Sequence, residues 1–330
     1  VNRRHVLSAA VAVGFTGLFL ALALRNVQFA ELGRALAGAR WRWLPGIIFI
    51  ILFADLGLRA LRWRILLSGA VKAPVSELYR LSAIGLAVNN LLFARLGELL
   101  RAVLAAERLG VPLATTLASV VVERVLDVAA LLTLFVAASG LLPGLVDAHL
   151  RRGGAVLLAL VLAFLAFLIL AERSLEPGGL VERRLRSWRK VHEVMSHLAW
   201  GAAVLRRPRA LVPVAALSLG LWAVDAMVYW LGAFALGLQG WIDYPRSILV
   251  LSWAGAGAAL PAAPGGIGPF ESLVKSIVVS LGAAAPEALA YAVFLHMCSF
   301  LLVTGLGLVF LYRVGLSVGG IKDFLRRIKA

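Results

Sequence analysis

Six stretches of this chain, residues 6–24, 44–66, 116–140, 153–171, 210–236 and 287–312, are on average long and apolar enough to cross a lipid bilayer. Crossing a hydrocarbon core of roughly 30 Å takes about 20 predominantly apolar residues in an α-helix. Hydrocarbon supplies no water to backbone N–H and C=O groups, so only helices and closed barrels persist in it, and runs of this length specify helices. Composition agrees, with 62% hydrophobic and 15% charged residues among 330, against about 45–50% and about 25% in soluble domains. Mean hydropathy is +0.93. The expected fold is an all-α polytopic integral membrane protein, a single transmembrane domain over residues 1–330.

Two further apolar regions, 76–107 and 246–282, are interrupted. The first carries N-N-L-L-F-A-R-L-G-E at 89–98 and the second P-A-A-P-G-G-I-G-P-F-E at 261–271. Each region is expected to form either a re-entrant hairpin of two short helices or a kinked span. Broken helices at bilayer depth persist only when buried in protein or lining a polar cavity. Paired breaks in corresponding positions of two halves point to a transporter-like site near the bilayer midplane. The same spacing separates Glu98 from Glu123 and Glu271 from His296. After each break come a short helical segment, a turn with glycine and proline (Gly110, Pro112; Gly282, Pro286) and a long span carrying a polar residue. An inverted repeat is therefore expected.

The net charge of +16 would suggest a nucleic-acid partner in a soluble protein. Here the basic residues fall mostly between apolar runs and no nucleic-acid motif accompanies them, so they are read as topology signals and as attraction to anionic lipid. With both interrupted regions returning to their own side, the distribution favours N-in and C-in, the 25–43 loop being its weak point. The organisation expected is a first half (1–171), an amphipathic cytoplasmic loop (172–209), a second half (210–312) and a basic cytoplasmic tail (313–330). Residues 6–24 exceed a signal peptide's apolar region of about 7–15 residues, which implies a retained first helix. Arg59, Arg62 and Arg64 are expected to snorkel to headgroups beside Trp63. Cys298 is the one cysteine, and the five histidines lack metal-ligand spacing, so no disulfide, metal or cofactor is expected. No G-x-x-x-x-G-K-[ST] loop is present, which argues against ATP hydrolysis.

The chemistry-bearing residues cluster around the breaks. In the first, Asn89 and Asn90 precede Arg95, Glu98 and Arg101. On a helix starting near Gly97, Glu98 and Arg101 share a face, and Glu98 sits in the first turn where the helix dipole favours it. This is either a capped helix with an ion pair, or a site where Arg95, Arg101 and free N–H groups hold an anionic headgroup. Glu123, Arg124 and Asp127 stand within one apolar run. Each charge at a helix centre costs roughly 2.5–3.5 kcal/mol on insertion scales, so these three require partners or a wet cavity, with Arg95 or Arg101 as the expected partner. In the second break, Pro264, Gly265, Gly266 and Gly268 form a dense run of helix breakers. Pro269 and Glu271 fit positions one and three of a new helix. Asp55 and Arg59 are spaced to pair with each other, Asp225 has no evident local partner, and His296 is either a packing residue or a proton carrier.

The motifs N-N-L-L-F-A-R-L-G-E-L-L-R-A, A-S-V-V-V-E-R-V-L-D and P-A-A-P-G-G-I-G-P-F-E, in this order, together with R-A-L-R-W-R-I-L-L, resemble the lysylphosphatidylglycerol synthase transmembrane-region family, also called flippase-like. The resemblance covers nearly the whole chain. One departure is Phe93, where a proline is common in the family. The resemblance implies a membrane domain like the flippase half of the bacterial multiple peptide resistance factor, which moves aminoacylated phosphatidylglycerol between leaflets. The sequence given ends at Ala330 without a soluble aminoacyl-transferase domain, so synthase activity is not expected. The expectation is a lipid translocator moving an anionic or headgroup-modified lipid through a central cavity lined by Asn90, Arg95, Glu98, Arg101, Glu123, Arg124, Asp127, Pro264, Gly265, Gly266, Gly268 and Glu271. The alternatives are a membrane enzyme acting on a headgroup, with Glu123 and Asp127 as acid and base, and an accessory subunit of an envelope-lipid biosynthesis complex. Expected partners are membrane lipids, phospholipid or polyprenyl-linked, then lipid-biosynthesis enzymes and further copies of the chain. The expected location is a bacterial or archaeal cytoplasmic membrane.

Overall fold

Helices follow one another from end to end in the computed structural model, which describes residues 14, 17–25, 28–92, 95–175, 201–260 and 264–316. Most of the 6–24 stretch, Phe93, most of the expected amphipathic loop and most of the basic tail lie outside the described residues. Among the described residues there is no strand. After a helical stretch at 17–24 comes α1 (Phe29–Ala37). A continuous helix, α2, then covers Trp41–Leu67 and contains one wide π turn over Ile50–Asp55. A π turn breaks the i to i−4 ladder, and the Leu52 carbonyl there accepts from the Tyr79 hydroxyl.

The first interrupted region forms α3 (Val75–Leu91) and α4 (Leu96–Leu109). Pro74, extended at ψ 135°, precedes α3, and Leu92 after it is again extended (φ −117°, ψ 149°). Arg95, at φ 51° and ψ 39°, turns the chain through the left-handed region into α4. Then follow α5 (Leu113–Leu141), α6 (Ala148–Leu175) and α7 (Pro208–Leu236). The second interrupted region gives α8 (Tyr244–Ala259), a short turn at Pro264–Gly266 and α9 (Pro269–Ser280). The last helix, α10, is Ala285–Arg313.

Among the described residues, four helical segments are long and apolar enough to cross a membrane: α2, residues Ala148–Leu170 of α6, α7 and α10. The helix α5 is as long as α7 and α10, at 29 residues. Its centre holds Glu123, Arg124 and Asp127, so the expected span at 116–140 is a helix that cannot face lipid on that side. By contrast α6 shows Val156, Leu160, Phe164, Phe167 and Leu170 outward, as a lipid-facing helix does.

The packing repeats itself. In the first half, α2 lies on α3, α3 on α4 and α4 on α5; in the second, α7 lies on α8, α8 on α9 and α9 on α10. Each set runs long, short, short, long. The halves then exchange partners, with α10 on α3, α5 on α8 and α2 on α7. Small residues permit these contacts, as is usual where lipid supplies no hydrophobic drive between helices. A Cβ on Gly97 would stand 1.9 Å from the Gly85 carbonyl oxygen, and one on Gly307 would stand 2.3 Å from that of Ala83. The short helices α3 and α4 have 17 and 14 residues. At a rise of 1.5 Å per residue these reach about 25 and about 21 Å, less than the hydrocarbon core.

Candidate functional site

Three helices bring charged side chains to one place. Their axes carry them at helical spacing: Asp55, Arg59 and Arg62 on α2, Glu98 and Arg101 on α4, Glu123, Arg124 and Asp127 on α5. Six of these close a ring of alternating sign. Arg62 contacts Asp127 at 2.7 Å and Glu123 at 3.5 Å. Arg101 contacts Glu123 and Glu98, both at 2.8 Å. Arg124 contacts Asp127 at 3.0 Å and Glu98 at 3.7 Å. Three guanidinium groups and three carboxylates balance, which is what allows charges to persist away from water.

The ring is walled by polar and aromatic groups. Arg62 also donates to the Ser218 hydroxyl at 3.2 Å, and the Trp222 indole N–H donates to Asp127 at 3.3 Å, both from α7. The Arg101 guanidinium lies 4.8 Å from the Trp63 ring centroid, a cation–π distance. Trp63 itself donates to Ser119 at 2.9 Å. Beside the ring, Arg59 makes two bonds to Asp55, at 2.8 and 3.1 Å, as their spacing predicts. Exposure is uneven. Arg62 and Glu123 are sealed, whereas the Arg124 side chain is 33% and the Glu98 side chain 18% accessible. A cavity of about 10 Å³, lined by Arg59, Ser82, Leu86, Glu98, Arg101 and Arg124, has room for about one water.

The second break builds a separate group. Gly265, at φ 75°, and Gly268, at φ 97°, take backbone conformations that side chains rarely adopt. A Cβ on Gly265 would also meet the Phe300 ring at 2.8 Å. The N–H of Gly268 donates to Glu271 Oε2 at 2.7 Å, so Glu271 caps its own helix. The other Glu271 oxygen lies 2.6 Å from His296 Nδ1 on α10, and His296 Nε2 lies 2.9 Å from the Gly265 carbonyl oxygen.

The two breaks abut. Arg95 donates to the Ala258 carbonyl oxygen at the end of α8, at 2.8 Å. Asn90 donates to Thr304 on α10 at 3.0 Å. A Cβ on Gly265 would lie 3.5 Å from the Asn90 carbonyl oxygen. Of the twelve residues singled out in the sequence, Glu98, Arg101, Glu123, Arg124 and Asp127 therefore join the ring. Pro264, Gly265, Gly266, Gly268 and Glu271 form the second break, and Asn90 and Arg95 tie the two regions together.

Some expectations need correction. At the starts of the short helices one N–H each is already taken: Asn89 Oδ1 accepts from Gly97 at 2.8 Å, and Glu271 Oε2 accepts from Gly268 at 2.7 Å. Arg95 is not a partner of the α5 carboxylates, because its left-handed backbone aims the side chain at α8. Arg62 does not snorkel beside Trp63, since both are 0% exposed, and Arg59 is held inside by Asp55. In an apolar stretch with Arg59 and Arg64 nearby, Arg62 looked like one of an interfacial series, and only the fold supplies its acidic partners. Lys275 was also missed. Its ammonium donates to the carbonyl oxygens of Ala23 and Arg25, at 2.8 and 2.5 Å, closing the end of the N-terminal helical stretch as cations do at helix C-termini. A lysine inside an apolar run was the available signal.

Comparison with known proteins returns one family, described as the lysylphosphatidylglycerol synthase TM region, whose model matches residues 6–307. No curated protein matches the chain.

Proposed function

Because the chain belongs to the lysylphosphatidylglycerol synthase TM region family, we propose that it is a lipid translocator, moving an anionic or headgroup-modified lipid between leaflets of a bacterial or archaeal cytoplasmic membrane. The observation that carries this reading is the closed ring of three arginines and three carboxylates, whose longest contact is also its most accessible edge. That edge is the 3.7 Å contact between Glu98 and Arg124. A lipid phosphate is a stronger, bidentate partner for guanidinium than a carboxylate held at that distance. It displaces Glu98 from Arg124, and Glu98 retains Arg101 and the Asn89 amide at 2.8 and 3.3 Å. Binding thus substitutes one anion for another and leaves no buried charge unpaired.

In this reading α3–α4 and α8–α9 are re-entrant hairpins in a chain with both ends inside, the second half inverted relative to the first. The length of α3 and α4, short of a full crossing, and the repeated order of packing support it. Asn90, Arg95 and the Pro264–Glu271 segment form the gate between the hairpins. The enzyme alternative draws less support, since Glu123 and Asp127 are each held between two arginines.

The test is reconstitution of the purified protein in vesicles with labelled anionic and aminoacylated lipids. A translocator changes the distribution of label between leaflets at constant lipid mass. A change in lipid mass without redistribution overturns the proposal in favour of an enzyme. Redistribution that appears only with a copurifying protein assigns the chain to an accessory role.

A further inference from the structure

The contact between Glu271 and His296 requires a proton of its own. The Gly265 carbonyl oxygen accepts hydrogen bonds and donates none, so His296 Nε2, 2.9 Å away, carries a hydrogen. The second ring nitrogen stands 2.6 Å from Glu271 Oε1. With Nε2 protonated, that short contact holds either an imidazolium beside a carboxylate or a neutral imidazole accepting from a carboxylic acid. Both arrangements contain one more proton than neutral histidine and ionised glutamate together. Without it, a nitrogen lone pair would face a carboxylate oxygen at 2.6 Å, a repulsive contact in a site where the two side chains are 7% and 9% accessible.

We propose that the proton shared by Glu271 and His296 latches the second break to α10, and that its release frees the break, so that translocation is coupled to proton movement. This deepens the translocator reading and rests on it for what the released break does. The hydrogen bonds make the latch mechanical. The Glu271 carboxylate holds the first turn of α9 through Gly268 N–H, and the His296 ring holds the turn before it through the Gly265 carbonyl. One ring therefore ties both sides of the break to α10. Phe270 and Phe300, with centroids 4.5 and 6.2 Å from the imidazole, shield it. On release the proton passes to water and the pair changes from neutral to singly negative. The repulsion is relieved when α9 and the turn before it move away from α10.

Most other charged or polar ionisable groups on the elements around α9 and α10 are engaged elsewhere. Lys275 of α9 bonds the carbonyls of Ala23 and Arg25, and Arg95 bonds Ala258. Tyr291 of α10 bonds the Tyr229 carbonyl of α7, and Tyr79 of α3 bonds Leu52. Asp55 of α2 holds Arg59, and Glu31 of α1 contacts Arg34. Glu287 and Arg313 lie at the two ends of α10. Asp225 of α7 has no hydrogen bond or ion pair among the described residues, and so is the rival source of a pH response.

The experiment is a pulsed electron resonance distance measurement on full-length protein in vesicles, with spin-labelled cysteines replacing the exposed Ile267 and Val309 in a Cys298→Ala background. One distance population is expected at about pH 5.5, and a second, longer one at about pH 8.5. Their ratio should change by at most about tenfold per pH unit, the limit for one proton. Glu271→Gln supplies an amide that donates to His296 and accepts from Gly268 with no ionisable proton, and it should hold the short population at both pH values. His296→Ala should show the long population at both, and Asp225→Asn should respond to pH as the parent does. Identical distributions at both pH values in the parent, a pH response retained in Glu271→Gln, or its loss in Asp225→Asn would each overturn the latch. The distances do not depend on lipid transfer: a pH response with no lipid moved removes the translocator reading and leaves the latch standing.

Discussion

Arg62 Nη1 stands 2.7 Å from Asp127 Oδ1, with the arginine side chain wholly sealed and the aspartate 6% accessible. Removing one partner of such a pair leaves a buried charge uncompensated, at a cost of about 3–5 kcal/mol. Arg62→Ala should therefore reduce folded protein sharply, as read by thermal melting in detergent. Exchanging both members for neutral residues, Arg62→Met with Asp127→Asn, should recover part of the loss. A double-mutant cycle reads the coupling directly, and additive effects would show that the two do not interact.

Arg124 is expected to behave differently. A third of its side chain is accessible, and its partners Glu98 and Asp127 keep Arg101 and Arg62 when it is removed. Arg124→Ala should cost on the order of 1 kcal/mol in stability or less, while lowering lipid transfer at least about tenfold. Arg124→Lys keeps the charge without the planar fork, so transfer should fall between the two. Aggregation of Arg124→Ala would make the residue structural.

Arg95 is held in the left-handed region at φ 51°, a conformation that costs a side-chain-bearing residue about 1–2 kcal/mol. Arg95→Gly should relieve that strain and leave the melting temperature unchanged or raised, while losing the bond to Ala258. Lipid transfer should fall in the same variant. A variant that transfers lipid as the parent does would remove Arg95 from the gate.

Two glycines offer a matched comparison. Gly97→Ala drives a methyl group into the Gly85 carbonyl 1.9 Å away, whereas nothing lies within 4 Å of a Cβ at Gly305. Gly97→Ala should lower stability by roughly 3 kcal/mol or more, at the upper end for overpacking. Gly305→Ala should be neutral or slightly stabilising, as alanine is the better helix former. Equal melting temperatures for the two would mean that α3 and α4 do not approach as closely as described.

Local features were legible in the sequence because their causes are local. The proline and glycines at 264–268 separate α8 from α9, and Pro269 with Glu271 begins α9 as expected. The pairs Asp55–Arg59 and Glu98–Arg101 follow from helical spacing alone. The equal spacing from Glu98 to Glu123 and from Glu271 to His296 reads as a sign of a repeat and says nothing of contact, yet Arg101 bridges the first pair and the second touches directly. What stayed hidden needed the third dimension. Arg62 finds its carboxylates on α5 and its hydroxyl partner on α7, and no spacing rule links residue 62 to residues 123, 127 and 218. The closure of the ring through pairs on three helices was equally hidden, since sequence places charges on faces but not which faces meet.

The exchange of partners between the halves has a bearing on how the chain can be divided. The surface of α3 is completed by α10, and that of α8 by α5, so neither half offers itself the neighbour it needs. Expressed separately, residues 1–175 and residues 201–330 should each be degraded or remain aggregated. Produced together in one cell they should find each other and copurify, a natural two-fragment complementation system whose assembly needs no covalent link.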